Sequence, residues 1–359
     1  MALVGGKKIG DKEPCFITFE AGPTHNGLES AIRLVTYAAD AGADAIKFQI
    51  LDPDRLVADK KQLFSYEVLI DAATGKTETV AEPLYDILCR RALTQEEWKK
   101  LKRHSESLGL AFFATVGFDD EIELLQELKC DSIKIASADV NHWPLIRKAA
   151  RTGMYIQLDT GNASIGEIEE AVDIIVSEGN TNIIIHNCPS GYPARLESIN
   201  LNLIPMLKQL FRYPVGFSDH TPGWDMDIAA VALGANLVEK TITEDRTTRS
   251  VEHIMSLDPS DMHAFVQKIR ELEIALGSSR RILHPAEIAK RKAIRRSAFL
   301  KMPVSEGQPV KTAQIEFKRP GYGIAPNEFE KLPDAIFSRS LPAGHMIRFE
   351  DLKGVPCDK

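Results

Sequence analysis

Residues 214–223 read PVGFSDHTPG. A short apolar run ends at Phe217 and gives way at once to Ser218, Asp219 and His220, then a Pro-Gly break and an Ala-rich helical run over 227–235. A buried strand that delivers a hydroxyl, a carboxylate and an imidazole to its carboxyl tip is how α/β barrels and open α/β sheets present chemistry. Taken alone, the stretch also fits a turn capped by Asp219 with His220 as a polar loop residue. The same pattern recurs along the chain, and the recurrence decides between the two.

Apolar runs of buried-strand character occupy 15–19, 45–50, 111–116, 132–136, 155–158, 182–186, 215–217 and 237–243. Helical spacing follows each, over 30–41, 94–108, 119–128, 143–152, 164–178, 201–211, 227–235 and 260–276. Gly42 reads as a C-cap, and Thr94-Gln-Glu-Glu97 as a capping box. Residues 52–93 break the rhythm; polar, mixed and long for a connection, they read as a loop with a short helix over one end. No strand alternates polar with apolar, as an all-parallel sheet buried on both faces requires. Eight βα units over about 265 residues predict a (β/α)8 TIM barrel. A doubly wound open sheet is the alternative, but the chain carries no Gly-x-Gly-x-x-Gly fingerprint.

The 359 residues suffice for one large domain and a small one. After Gly277 a basic run appears (Arg280, Arg281, Lys290, Arg291, Lys292, Arg295, Arg296), and beyond it short strand-like pieces at 297–302, 315–318 and 338–341 separated by Pro and Gly turns. The expected organisation is a barrel at 1–280, a linker at 281–296 and a small β-rich domain at 297–359, too short to be very stable alone. Hydrophobic content of 44% and charged content of 26% describe an ordinary soluble protein. A net charge of −7 argues against nucleic-acid and membrane-surface partners. Five scattered cysteines without a CxxC pair suit a reducing cytoplasm and offer neither a zinc knuckle nor a disulfide framework. Residues 1–14 lack an apolar signal core, and no run of 18 apolar residues occurs, so neither a signal peptide nor a membrane span is expected.

The strand tips form one expected surface: Glu20; Lys47 and Gln49; Thr115; Lys134 and Ser137; Thr160 and Gly161; His186 to Ser190; Ser218, Asp219 and His220; and Lys240. Lys47, Lys134 and Lys240 lie inside apolar strands, where an unpaired ammonium is costly, so each needs an anionic partner. A structural network with Glu20, Asp139 or Glu239 would satisfy any one of them. Three cationic tips with Thr and Ser donors between them describe a pocket for a phosphate and a carboxylate on one small molecule.

EAGPTHNG at 20–27, AGADAIKFQ at 41–49, SIKIASAD at 132–139, YPARLESINL at 192–201, GFSDHTPG at 216–223, VALGANLVEK at 231–240 and KRPGYG at 318–323 together resemble the sialic acid synthase family, makers of N-acetylneuraminic, legionaminic and pseudaminic acids. The resemblance runs from about residue 12 to the C-terminus and takes in the small antifreeze-like (SAF) domain of that family. It implies condensation of phosphoenolpyruvate with an N-acetylated aldose of the N-acetylmannosamine type, with C–O cleavage and release of phosphate. It also implies a divalent metal, Mn²⁺ or Mg²⁺, and a swapped homodimer whose small domain covers the partner's barrel mouth. Residue by residue, it implies that Glu20 lies beside the reacting carbons. Lys47, Lys134 and Ser137, with Gln49 and Thr115 beside them, would bind phosphoenolpyruvate. Ser190, Tyr192 and Glu252 would face the sugar, Arg319 would reach the N-acetyl group across the dimer, and His220 would ligate the metal.

The chain also departs from the pattern. Glu239-Lys240-Thr241 stands where the family reads Glu-Arg-His, so Thr241 replaces the second metal ligand, and a hydroxyl is a poor substitute for imidazole at such a site. Either water, Glu20 or His253 supplies that ligand, or the site has drifted towards another acceptor. Asp139 stands where Glu is common, and Asn187-Cys188-Pro189 replaces a His-Cys-Thr type sequence. Two other classes stay open: a class I aldolase with a Schiff-base lysine, and a non-catalytic sugar-phosphate binding protein.

Overall fold

The computed structural model describes residues 1–355, and Cys357 lies outside the described residues. Each of the eight apolar runs is a strand: β1 (Phe16–Glu20), β2 (Ala45–Gln49), β3 (Ala111–Val116), β4 (Ser132–Ile135), β5 (Tyr155–Asp159), β6 (Ile183–Asn187), β7 (Val215–Asp219) and β8 (Leu237–Thr241). They pair in parallel in chain order, and β8 returns to β1 with Leu237 opposite Phe16 and Thr241 opposite Glu20, closing the barrel. Most strand residues are buried, which explains the near-continuous hydrophobicity that marked them.

Helices follow the strands over Leu28–Ala41, Gln95–Ser107, Asp119–Glu127, Trp143–Arg151, Ile165–Ser177, Leu203–Phe211, Asp225–Ala232 and Pro259–Leu276. Their ends obey the local chemistry. The Thr94 hydroxyl accepts from Glu97 N at 3.3 Å while the Glu97 carboxylate accepts from Thr94 N at 2.8 Å, a reciprocal capping box. Gly42 ends the first helix in the left-handed region at φ 86°. No helix among the described residues is long and apolar enough to cross a membrane.

Two hairpins modify the barrel. Ala2–Val4 and Lys7–Ile9 pair across Gly5 and Gly6, whose φ values of 55° and 75° suit the tight primed turns that hairpins favour. Ala2, Val4 and Ile9 pack against Phe16, Ala45, Phe113, Ile184 and Leu237 near the amino ends of the strands. That end of the barrel is thus plugged, leaving the carboxyl end for chemistry. The second hairpin corrects the expectation of a loop at 52–93: Leu63–Asp71 pairs with Lys76–Pro83, between short helices at Pro53–Leu56 and Leu84–Cys89. Its inner face is legible in hindsight as an alternation in which Tyr66 and Val68 are buried against Ile87 and Val251.

The chain divides after Gly277 into two compact units. Within 281–296, read from sequence as a linker, Pro285–Ile294 is helical and exposes all its residues. The remainder of the second unit pairs Ser297–Leu300 with Ile315–Lys318 and Ile336–Phe337 with Leu352–Lys353. The strand-like 338–341 contributes a single bridge, Leu341 to Val304. Ala298, Leu300, Ile324, Phe337 and Ile347 form its own apolar core, and the buried Asp351 carboxylate accepts from Arg339 at 2.7 Å and pairs with His345 at 2.9 Å.

Candidate active site

A cavity of about 240 Å³ opens at the carboxyl end of the barrel. The alternation of a strand decides which tips reach it. On β2, Lys47 and Gln49 point in; on β8, Glu239 and Thr241 do. Lys240 lies between them in sequence and therefore faces the helix layer, where its ammonium pairs with Asp219, bonds the Thr221 carbonyl and stands 3.6 Å from Asp227. The expectation of three cationic tips in one pocket is thus corrected: Lys47 alone lines the cavity, Lys134 lies buried beneath it, and Lys240 faces away because a one-residue step along a strand reverses the face.

Of the residues expected at the site, Glu20, Lys47, Gln49, Thr115, Ser137, Tyr192, His220 and Glu252 line this cavity. Lys134 is fully buried and touches the cavity only through Asp159 and Glu239, which do line it. Ser190 lines a separate cavity with Thr160, Gly161 and Asn162. Arg319 belongs to the second unit, directly after the strand that ends at Lys318. Asp139, one candidate lysine partner, instead lies 3.7 Å from His142.

The floor of the cavity is a chain of charges. Glu239 Oε1 accepts from Lys47 at 2.8 Å and Oε2 from Lys134 at 2.8 Å. Lys47 also pairs with Glu20, and Lys134 with Asp159 at 2.9 Å. The Ser218 hydroxyl adds a bond of 2.9 Å to Glu239. Burial alone would lower the Lys134 ammonium, but Asp159 and Glu239 outweigh it and raise it above the usual lysine range. Burial pushes Glu239 up, yet Lys134 and Lys47 pull it well below the carboxylate range. Three carboxylates facing two ammoniums leave one surplus negative charge. Burial, with Glu239 nearby, raises Asp159 despite Lys134. His186, which burial and Lys134 push well below the imidazole range, sits neutral beneath, donating from Nε2 to Gln157 at 2.9 Å and facing Lys134 through Nδ1 at 3.3 Å.

Glu20 is held by its own turn. Gly22 N donates to Glu20 Oε1 at 2.6 Å, and a Cβ at Gly22 would collide with that oxygen and stand 2.7 Å from Gln49 N. Glu252 occupies a strained position, φ 71° in the left-handed region, a conformation that clusters at functional sites. Burial raises its carboxyl, against the opposing pull of His220 and Arg91.

The donor set tests the implied metal. His220 Nδ1 lies 2.9 Å from the Pro189 carbonyl, which only accepts, so Nδ1 donates there and Nε2 is the only ring nitrogen left to face a metal. Across the cavity stands Thr241 rather than a second imidazole. Glu20 is committed to Lys47, and His253 Nδ1 is bonded to the Thr243 hydroxyl at 2.7 Å. Among the described residues no group of three or more His, Cys, Asp and Glu side chains is gathered as a metal site. The residues do not fit the two-histidine site that the resemblance implies.

Three charged lining residues were not assigned to the site from sequence. Glu239 was named only as a lysine partner. Asp159 lies one residue past the run read as β5 and continues the inward parity of Gln157. Arg91 sits just after the helix Leu84–Cys89, inside the stretch read as a loop.

Residues 34–281 match the model of the NeuB family. The chain is 34% identical over 352 residues to an uncharacterized protein, MJ1065, of Methanocaldococcus jannaschii, covering 98% of each. It is 33% identical to the N,N'-diacetyllegionaminic acid synthase of Legionella pneumophila, over 97% of this chain and 98% of that one. Among solved structures, the N-acetylneuraminic acid synthetase of Leptospira borgpetersenii, crystallised with citrate, superposes with a TM-score of 0.69 at 30% identity, over 80% of this chain and 94% of that one. Identity of about a third, sustained over nearly the full length of both relatives and joined to the same barrel, settles the kinship: the chain belongs to the NeuB family and is an enzyme of the synthase type.

Proposed function

We propose that this enzyme condenses phosphoenolpyruvate with an N-acylated, hexosamine-type aldose, giving a nine-carbon α-keto acid and phosphate. The observation that carries the reading is the pair of buried lysines, Lys47 and Lys134, bracketing Glu239 at the floor of the barrel mouth. Lys47, with Gln49, Thr115 and Ser137, supplies donors for the phosphate and carboxylate, and Lys134 supplies positive charge from the layer below. C3 of phosphoenolpyruvate attacks the aldehyde carbon, whose oxygen becomes a hydroxyl. The oxocarbenium left at C2 is captured by water, and collapse of that adduct breaks the C2–O bond and expels phosphate. Glu20 stands where it can stabilise the cation or take the proton of the water. Tyr192 and Glu252, which line the same cavity, face the acceptor. His220 presents an imidazole to the aldehyde region. No step runs through Mn²⁺ or Mg²⁺, since one imidazole and a hydroxyl are too few donors.

The Schiff-base alternative needs a lysine with a depressed pKa, and Lys134 is shifted the other way, while Lys47 is held between two carboxylates. Phosphate release from phosphoenolpyruvate against a panel of hexosamine-derived aldoses tests the reading. Ligand binding without release would favour the non-catalytic alternative.

We further propose that 297–359 is a SAF-type domain, that the enzyme works as a swapped homodimer in the cytoplasm, and that Arg319 contacts the acceptor in the partner's barrel. Its support is the family reading and the Arg-Pro-Gly-Tyr-Gly turn at 319–323. Arg319→Ala and Glu20→Ala should each be nearly inactive and regain activity when refolded together as mixed dimers. No recovery would contradict action in trans.

A further inference from the structure

Adjacent arginines meet opposite fates beside the cavity. Arg90 is fully engaged, its guanidinium donating to both oxygens of Glu82 at 2.7 and 3.0 Å. That carboxylate is completed by the Tyr66 hydroxyl from the same hairpin. Arg91 lines the cavity and is only 4% exposed, yet its Nη2 has no hydrogen-bond partner among the described residues. Its backbone is held just after the helix Leu84–Cys89, with N donating to the Leu88 carbonyl at 3.0 Å.

A desolvated guanidinium with an empty donor edge is costly. Burial pushes Arg91 down to about 10, only partly offset by Glu252. Stability alone would not keep such a residue, because an apolar side chain of similar volume packs the same space without the desolvation penalty. A ligand that brings its own oxygen into the cavity removes that penalty, and a guanidinium matches an anionic or carbonyl oxygen closely.

We infer that Arg91 is a substrate-binding residue, its free Nη2 edge taking an anionic or carbonyl oxygen of the acceptor aldose. Assignment to the acceptor rests on the functional reading above. Phosphoenolpyruvate is allotted to the Lys47–Glu239–Lys134 floor, whereas Arg91 stands beside Glu252 and among the apolar side chains of Leu84, Ile87 and Leu88. Glu252 is suited to the acceptor's hydroxyls, so an arginine beside it meets a substituent of the same molecule.

Arg91→Met keeps the apolar stem and removes the charge, and Arg91→Lys keeps the charge and removes the fork. Both are compared with wild type by steady-state kinetics in each substrate and by thermal melting. The expected result for Arg91→Met is an acceptor KM raised about 30-fold or more, a phosphoenolpyruvate KM within about threefold, and a melting midpoint above the wild type's. Arg91→Lys should recover part of the acceptor affinity. An unchanged acceptor KM, or a rise confined to phosphoenolpyruvate, overturns the assignment. Wild-type phosphate release judges the functional reading separately. Were the wild type to turn over no aldose, melting would still decide: an Arg91→Met midpoint at or below the wild type's makes the guanidinium structural.

Discussion

One carboxylate, Glu239, holds both buried lysines: Oε1 takes Lys47 and Oε2 takes Lys134, each at 2.8 Å. The two ammoniums are thereby fixed about one shared carboxylate, with Glu20 and Asp159 completing the pairing on either side. Breaking such a buried arrangement from one side leaves an uncompensated charge, at a cost of about 3–5 kcal/mol.

The two lysines should therefore respond differently to truncation. Lys47 lines the cavity, so Lys47→Met should raise the KM for phosphoenolpyruvate about 30-fold or more through the loss of a charge-assisted contact. Lys134 lies beneath, and Lys134→Met should lower the denaturation midpoint more than Lys47→Met does. Steady-state kinetics and urea titration check both, and equal effects on KM and stability at the two sites would contradict the layering.

Gly22 is predicted to be intolerant of any side chain. A Cβ there meets Glu20 Oε1 and the Gln49 backbone, so Gly22→Ala must displace the carboxylate to which the proposed reaction gives a catalytic role. Misplacement of that order costs about 100-fold in rate. Phosphate-release kinetics on a variant shown to be folded by circular dichroism should find kcat reduced by that factor with substrate KM values little changed. Wild-type turnover would mean that the position of Glu20 is immaterial.

Two buried histidines give a pH dependence with a definite sign. Burial, reinforced by Arg91, lowers His25 and His253 to about 4. Both ring nitrogens of His25 lack a partner among the described residues. Between pH 4 and the ordinary imidazole value of about 6.5 the unfolded chain binds protons that the folded chain refuses, so stability falls as pH drops through that window. Glu121, raised to about 7 by burial, acts in the opposite sense, so a single variant isolates the effect. Between pH 7 and 4.5, His25→Leu should lose about 2 kcal/mol less stability than wild type in urea titrations. Identical losses would show that His25 is not held neutral.

Sequence reading reached the barrel because parallel strands buried on both faces leave uninterrupted apolar runs, and β1 to β8 are such runs. It did not reach the direction of Lys240, since one residue's error in parity reverses the face and nothing in the run Leu237–Thr241 marks which side is the lumen. The hairpin at 63–83 was obscured by its polar outer strand, although Tyr66 and Val68 already carried the alternation. Most of the cavity-lining tips were visible as polar residues ending apolar runs. Arg91 was not, because a guanidinium without a partner is a fact about three-dimensional neighbours; in the sequence Arg90 and Arg91 look alike.

The central claim is that this barrel joins phosphoenolpyruvate to an aldose with C–O rather than P–O cleavage. Phosphoenolpyruvate labelled with ¹⁸O at the oxygen bridging carbon and phosphorus, incubated with the enzyme and the best aldose of the panel, tests it most directly by mass spectrometry of both products. The account predicts that the label leaves with phosphate and that the new ketone oxygen comes from water. Label retained in the keto acid at the moment of release, or pyruvate trapped by borohydride on a lysine, would contradict it.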